Sequence, residues 1–149
     1  MKWIDIPPVW LLGALVITWH VGAAQPFGLS LDFPFTQLLG GLLVGAGVIL
    51  MLLAAMEMRK RRTTIIPHNE ADSLVTSGIF KRTRNPIYLG DAAILAGLAL
   101  RWDAVLALVL VPVFIWIIER RFIIPEENML RRKFRADFAR YAEKTRRWL

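Results

Sequence analysis

The charges of this chain are kept apart from its apolar residues, and that separation limits the fold more than any single motif does. Of 19 Lys and Arg, seven lie between Arg59 and Arg84 and ten between Arg120 and Arg147; only Lys2 and Arg101 stand elsewhere. Four apolar stretches fill the gaps, at residues 9–24, 35–56, 87–100 and 102–118. Soluble domains rarely combine 56% hydrophobic residues with a net charge of +7 unless the two are segregated along the chain. A helix crossing the hydrocarbon core needs about 20 residues, which the second stretch supplies alone and the fourth just supplies. The first and third fall short unless flanking residues extend them. Open strand edges are not tolerated in lipid, so spanning strand pairs are excluded. The expected fold is an all-α integral membrane protein of about four transmembrane helices, forming a single domain over residues 1–149. The N-terminal helices fill residues 1–62 and a core fills 63–149, with the third and fourth helices paired as a tight hairpin at "LRWD".

The loops set an orientation. "AQPFGLSLDFPF" and "RWD" carry one basic residue between them, whereas "RKRR" and the C-terminal tail are strongly basic. The basic segments are therefore expected on the cytoplasmic side, with both termini inside and about four crossings of the membrane. Attraction to anionic headgroups accounts for much of the positive charge without any further ligand. Lys2, the first apolar run and the small residues Gly22, Ala23 and Ala24 have the make-up of a signal peptide. Trp19 and His20 interrupt that run, so a retained helix is expected. The chain has no cysteine, which excludes disulfides and thiolate nucleophiles, and its two histidines, His20 and His68, are too far apart to suggest a zinc site.

Small residues mark where helices meet. Gly41 and Gly45 form a GxxxG pair with Gly40 and Gly47 nearby, and Ala93 and Gly97 form a small-xxx-small pair; both read as packing devices. Pro112 is expected to kink the fourth helix. The connector over residues 63–80 is polar and broken by Pro67 and Gly78, yet Leu74, Val75, Ile79 and Phe80 give it something to bury. Pro125 suits the start of a separate tail helix. In that helix Leu130, Phe134, Phe138 and Tyr141 recur as one apolar face, either lying on the membrane surface or covering the cytoplasmic mouth of the bundle.

Two polar clusters sit at the expected cytoplasmic threshold: Arg84, Asn85, Tyr88 and Asp91, and the pair Glu126–Glu127. A helix starting at Pro86 would place Tyr88 and Asp91 on one face. Each member has an ordinary explanation. Glutamates favour a helix N-terminus, Asp91 could pair with Arg84 or Arg82, and Tyr88 could anchor at the interface. Taken together they mean more, because ionisable groups at membrane depth are costly and are functional candidates by default.

The segments "LVTSGIFKRTRNPIYLG" and "EENML..KF...FARYAEKTRRWL" resemble the integral-membrane methyltransferases of the isoprenylcysteine carboxyl methyltransferase and phospholipid methyltransferase superfamily. That superfamily shows an Arg-His-Pro-x-Tyr-x-Gly segment, a hairpin, then a Glu-Glu pair and an aromatic-rich tail. The resemblance covers roughly residues 63–149 and points to a bacterial-type member of the inner membrane. It implies S-adenosylmethionine as cofactor, with S-adenosylhomocysteine as product, and no Rossmann domain; accordingly no G-x-G-x-x-G fingerprint is present.

Carried over, the match implies that Arg84, Pro86, Tyr88 and Gly90 of the first motif bind the cofactor. Glu126 and Glu127 of the second do the same, with Gly78 and Phe80 in a preceding element and His68 as a softer match. Leu74 and Val75, with Phe80, would wall the adenine. Arg84, Asn85, Tyr88 and Glu127 are the candidate catalytic residues. Asn85 replaces the superfamily's histidine, and an amide cannot take up a proton near neutral pH, so general-base catalysis from this position is not implied. The expected partners are a lipophilic small molecule or lipid substrate and the membrane lipids, with no nucleic acid and no metal. A small four-helix transporter, a sterol-reductase-like NADPH-dependent membrane reductase and a non-catalytic adaptor are the competing readings. A transporter would need an ionisable group deep in the bundle, where the sequence offers only His20.

Overall fold

The computed structural model describes residues 4–63 and 73–149. Every regular element among them is helical: α1 (Pro7–Ala24), α2 (Pro34–Lys60), α3 (Pro86–Arg101), α4 (Leu110–Ile118), α5 (Ile124–Phe134) and α6 (Ala136–Lys144). Short 3-10 turns lie at Pro26–Gly28, Gly78–Lys81 and Val105–Val109, and a π segment lies at Glu119–Ile123. Proline opens each of α1, α2 and α3. There its missing N–H would be unpaired anyway and its fixed φ suits the first turn. Arg59 and Lys60 close α2, placing cations at the negative end of its dipole.

Two helices, α1 with 18 residues and α2 with 27, are long and apolar enough to cross a membrane. Only 11% and 17% of their apolar windows are buried, so neither resembles the core helix of a water-soluble domain. Leu12, Ile17, Leu42 and Leu52 point outward, as lipid-facing side chains do.

α3 is the centre of the bundle and packs against α1, α2 and α4. Against α2 it runs antiparallel at backbone contact. A Cβ on Gly47 would stand 2.6 Å from the Gly90 carbonyl oxygen, and one on Gly97 would stand 2.6 Å from that of Gly40. Only glycine permits this approach. The expected Gly41–Gly45 pair is not the one used, since Gly45 has nothing within 4 Å and Gly41 meets only Arg101 Nη1 at 3.6 Å. The physical reason is the repeat: contacts seven residues apart keep two helices side by side over two turns, whereas a four-residue row suits a single steep crossing.

On its other side α3 meets α1 through a core of Tyr88, Ala92, Leu95, Phe114, Ile118, Phe122 and Ile123, onto which Trp10, Leu11, Ala14 and Leu15 pack. Thr18 is fully buried there and gives its hydroxyl to the Ala14 carbonyl at 2.7 Å, which satisfies it inside its own helix.

The α3–α4 hairpin turns at Asp103, whose φ is 52°. Its carboxylate accepts hydrogen bonds from Ser30 Oγ at 2.6 Å and the Leu31 N–H at 2.7 Å, while Gln25 Nε2 donates to its carbonyl at 3.1 Å. The Ser30 hydroxyl and the Leu31 amide hold Asp103 below the usual carboxylate range. The α1–α2 connector is thereby tied to the hairpin at one end of the bundle.

Pro112 does not kink a helix. The chain leaves the hairpin as the 3-10 turn Val105–Val109, and α4 begins only at Leu110, so Pro112 falls in a first turn that does not need its N–H. Pro125 likewise does not start a separate tail. Backbone angles stay in the right-handed helical region from Ile118 to Ile124, joining α4, the π segment and α5 in one run from Leu110 to Phe134. A π turn immediately before Pro125 relieves the clash between the proline ring and the preceding turn. Glu119 therefore stands inside this run. The tail breaks instead at Arg135, where φ is 45° and α5 gives way to α6.

The glycine contacts give a direct test. Gly47→Leu is expected to destabilise the protein by on the order of 1–3 kcal/mol through overpacking. Gly45→Ala, which meets open space, should be neutral or slightly stabilising in the same detergent thermal-unfolding assay.

Candidate functional site

The two polar clusters meet because the last residues of the chain fold back onto the first of them. Thr83 Oγ1 and Asn85 Nδ2 both donate to the Arg147 carbonyl, at 3.2 and 3.0 Å, and the Arg84 N–H donates to the Arg146 carbonyl at 3.0 Å. Pro86 forces Asn85 out of the helical region, leaving the Thr83–Asn85 backbone extended enough to pair with the tail. Asn85 thus spends its amide N–H on holding the tail, although it also lines the cavity described below.

With its backbone fixed, Arg147 reaches across to α5. Nε and Nη2 donate to the two oxygens of Glu127 at 2.9 and 2.8 Å, a fork-on-carboxylate pair, and Nη1 donates to Glu119 at 2.6 Å. The hydrogen bonds to Glu127 raise the guanidinium pKa above its ordinary value. Trp148 Nε1 takes the other Glu119 oxygen at 3.1 Å. Arg84 completes the group, its Nη1 standing 3.3 Å from Glu127 Oε1. Its Nε is buried and has no hydrogen-bond partner among the described residues.

These groups border a cavity between α2, α3, α5, α6 and the connector ahead of α3. Leu74, Val75, Phe80, Arg84, Asn85, Pro86, Tyr88, Glu126 and Glu127 all line it, so most of the residues singled out from sequence come together. Tyr88 is buried and donates from its phenol to Glu126 Oε1 at 2.7 Å, which joins the two motifs a second time. It is not an exposed interfacial anchor. Asp91, one turn further along α3, also faces the cavity; Arg84 pairs with Glu127 rather than with it.

On the far wall Tyr141 donates to the Phe80 carbonyl at 2.7 Å and packs with Ala54, Val75, Phe80 and Phe138. Burial pushes its phenol pKa up. The apolar residues of the tail, Phe138 and Tyr141 above all, therefore close the cavity from α6.

Gly78 and Gly90 do not line the cavity. Gly78 has a φ of 60° and lies against Glu57, where a Cβ would stand 2.7 Å from Oε2, so it serves the turn that delivers Phe80. Gly90 serves the contact with α2. His68 lies outside the described residues. Sequence reasoning did not single out Arg147 or Glu119, nor the methionines Met51 and Met58 of α2, which line the cavity. The one available signal for Arg147 was charge balance: an acidic pair in a strongly basic tail invites an internal partner.

A family model described as phospholipid methyltransferase matches residues 35–137, from the start of α2 into α6. The chain belongs to the phospholipid methyltransferase family. No curated protein and no solved structure matches it. The matched segment holds the Arg84–Gly90 motif, the hairpin and the Glu126–Glu127 pair, and with them most of the cavity lining; Pro7 and Pro8 of α1, Phe138 and Tyr141 of α6, and Arg147 lie outside the match.

If the clamp organises the site, its loss must be felt in stability. Arg147→Ala leaves Glu127, only 6% exposed, with the more distant Arg84 and Arg131 as its cations. The expected cost is about 1–3 kcal/mol. Arg140→Ala, which removes an exposed pair with Asp137, should stay within about 0.5 kcal/mol in the same thermal-unfolding measurement.

Proposed function

We propose that this chain is an integral membrane methyltransferase that uses S-adenosylmethionine to methylate a lipophilic or amphipathic acceptor. The observation that carries the reading is the convergence of Arg84, Tyr88, Glu126 and Glu127 on one cavity whose lining is mostly apolar. The donor set suits such a cofactor. Arg84 keeps a buried Nε without a partner among the described residues, and a carboxylate can accept from it. Glu126 and Glu127 offer carboxylate oxygens to an ammonium or to ribose hydroxyls, and Tyr88 offers both a hydroxyl and a ring face to a cation. Leu74, Val75 and Phe80 provide an apolar wall for a purine.

Bound there, the cofactor would supply a methyl group activated by a sulfonium. The protein's own contribution is positioning. Tyr88 is fixed by Glu126, and Arg84 and Glu127 are fixed by the tail, so little motion is left to the groups that would hold the reactants. Water is kept from the inner wall by Phe80, Phe138 and Tyr141. We take α3 and the run from α4 into α5 as further crossings beside α1 and α2. The cavity then faces the cytoplasm beneath the basic segments, in a bacterial inner membrane, and an acceptor arrives from the lipid past Met51 and Met58.

Calorimetric titration of S-adenosylhomocysteine into detergent-purified protein tests this. Micromolar binding is expected, weakened at least tenfold in Arg84→Ala and in Glu127→Gln. A folded wild-type protein that fails to bind would overturn the cofactor assignment.

A further inference from the structure

Among the carboxylates that line the cavity, Asp91 stands apart. Glu126 accepts the Tyr88 hydroxyl and Glu127 is held by Arg147 and Arg84. Asp91 is 3% exposed and faces the cavity, yet makes no hydrogen bond or ion pair among the described residues. The same cavity takes apolar lining from Met51 of α2, from Pro7 and Pro8 in the first turn of α1, and from Ile123 at the end of the π segment. A buried carboxylate without a partner is costly, and a protein that needs only packing at such a place carries an apolar residue instead. The position is informative too. Asp91 lies about one turn further along α3 than Tyr88, and so further from Arg84, which precedes the helix.

We infer that Asp91 receives the proton of the methyl-accepting group, and that the acceptor therefore carries a dissociable N–H or O–H, as an amine or a phenol does, rather than a carboxylate. This rests on the methyltransferase reading above. In the transfer, the acceptor's nitrogen or oxygen forms the new bond to the methyl carbon. The carbon–sulfur bond breaks with its electron pair passing to sulfur, and the acceptor's proton passes to the Asp91 carboxylate, from which it is lost to solvent when the product leaves. A carboxylate acceptor has no proton to give and would bring a second negative charge beside Asp91, which is unfavourable in a low-dielectric cavity. The other titratable groups that line the cavity are Arg84, Tyr88, Glu126, Glu127 and Tyr141, and none of them makes a hydrogen bond or ion pair with Asp91.

The test uses the full-length protein in detergent, saturated with S-adenosylhomocysteine, and three probes of equal chain length: dodecylamine, 4-dodecylphenol and dodecanoate. Binding is measured by calorimetry for the wild type, Asp91→Asn and Asp91→Glu, and methylated probe is followed by mass spectrometry between pH 6 and 9. The wild type is expected to bind the amine or the phenol at least tenfold more tightly than dodecanoate. Asp91→Asn should erase that preference and lower methylation at least a hundredfold, leaving S-adenosylhomocysteine affinity within twofold, while Asp91→Glu restores part of both. A wild-type preference for dodecanoate, or an Asp91→Asn protein that keeps the preference and the rate, overturns the assignment. Failure of S-adenosylhomocysteine to bind the wild type would instead overturn the cofactor reading, and this inference would fall with it.

Discussion

Arg147 holds Glu127 by two parallel hydrogen bonds, and nearly everything that makes the site a site depends on that pair. It joins the end of the chain to α5, while the Arg147 carbonyl is held by Thr83 and Asn85 ahead of α3. Two motifs that the hairpin keeps far apart in sequence are thereby fixed against each other. Such an arrangement adds little net stability, because taking two charges out of water consumes most of what their attraction returns. What it supplies is position: a carboxylate in which both oxygens are engaged has one orientation.

The second requirement is closeness. α3 carries Pro86, Tyr88 and Asp91 into the cavity, and it can sit where it does only because Gly90 and Gly97 let it touch the backbone of α2. Met51 and Met58 then reach the cavity from α2. Packing and chemistry share one helix, with successive residues serving opposite sides: Gly90 faces α2 while Asp91 faces the cavity. This also accounts for the polar stretch at the mouth of an apolar segment. Its guanidinium, amide and phenol each meet a partner inside the protein, so the threshold carries few groups that lipid would have to accommodate.

Much of this was legible in the sequence. The segregation of charge marked the helices, and the two motifs named residues that do share a cavity, because residue type and order survive folding unchanged. What was not legible was register and partnership. Gly40, Gly41, Gly45 and Gly47 offer several possible contact rows, and only the crossing of α2 with α3 selects the seven-residue one. Pro112 and Pro125 read as a kink and a start, yet an irregular turn just before each absorbs it. Arg147 could not be told from the other tail cations, because its role depends on a return of the chain that no local pattern encodes.

The central claim is that this cavity is the place where the methyl donor binds. The most direct measurement is photolabelling with an azido-adenine analogue of S-adenosylmethionine, followed by peptide mapping of the labelled protein. The account predicts label on the cavity-lining segments around Leu74, Val75 and Phe80 and around Leu130 and Phe138, abolished by excess S-adenosylhomocysteine. Label on the outward faces of α1 and α2, or label that S-adenosylhomocysteine does not displace, would contradict it.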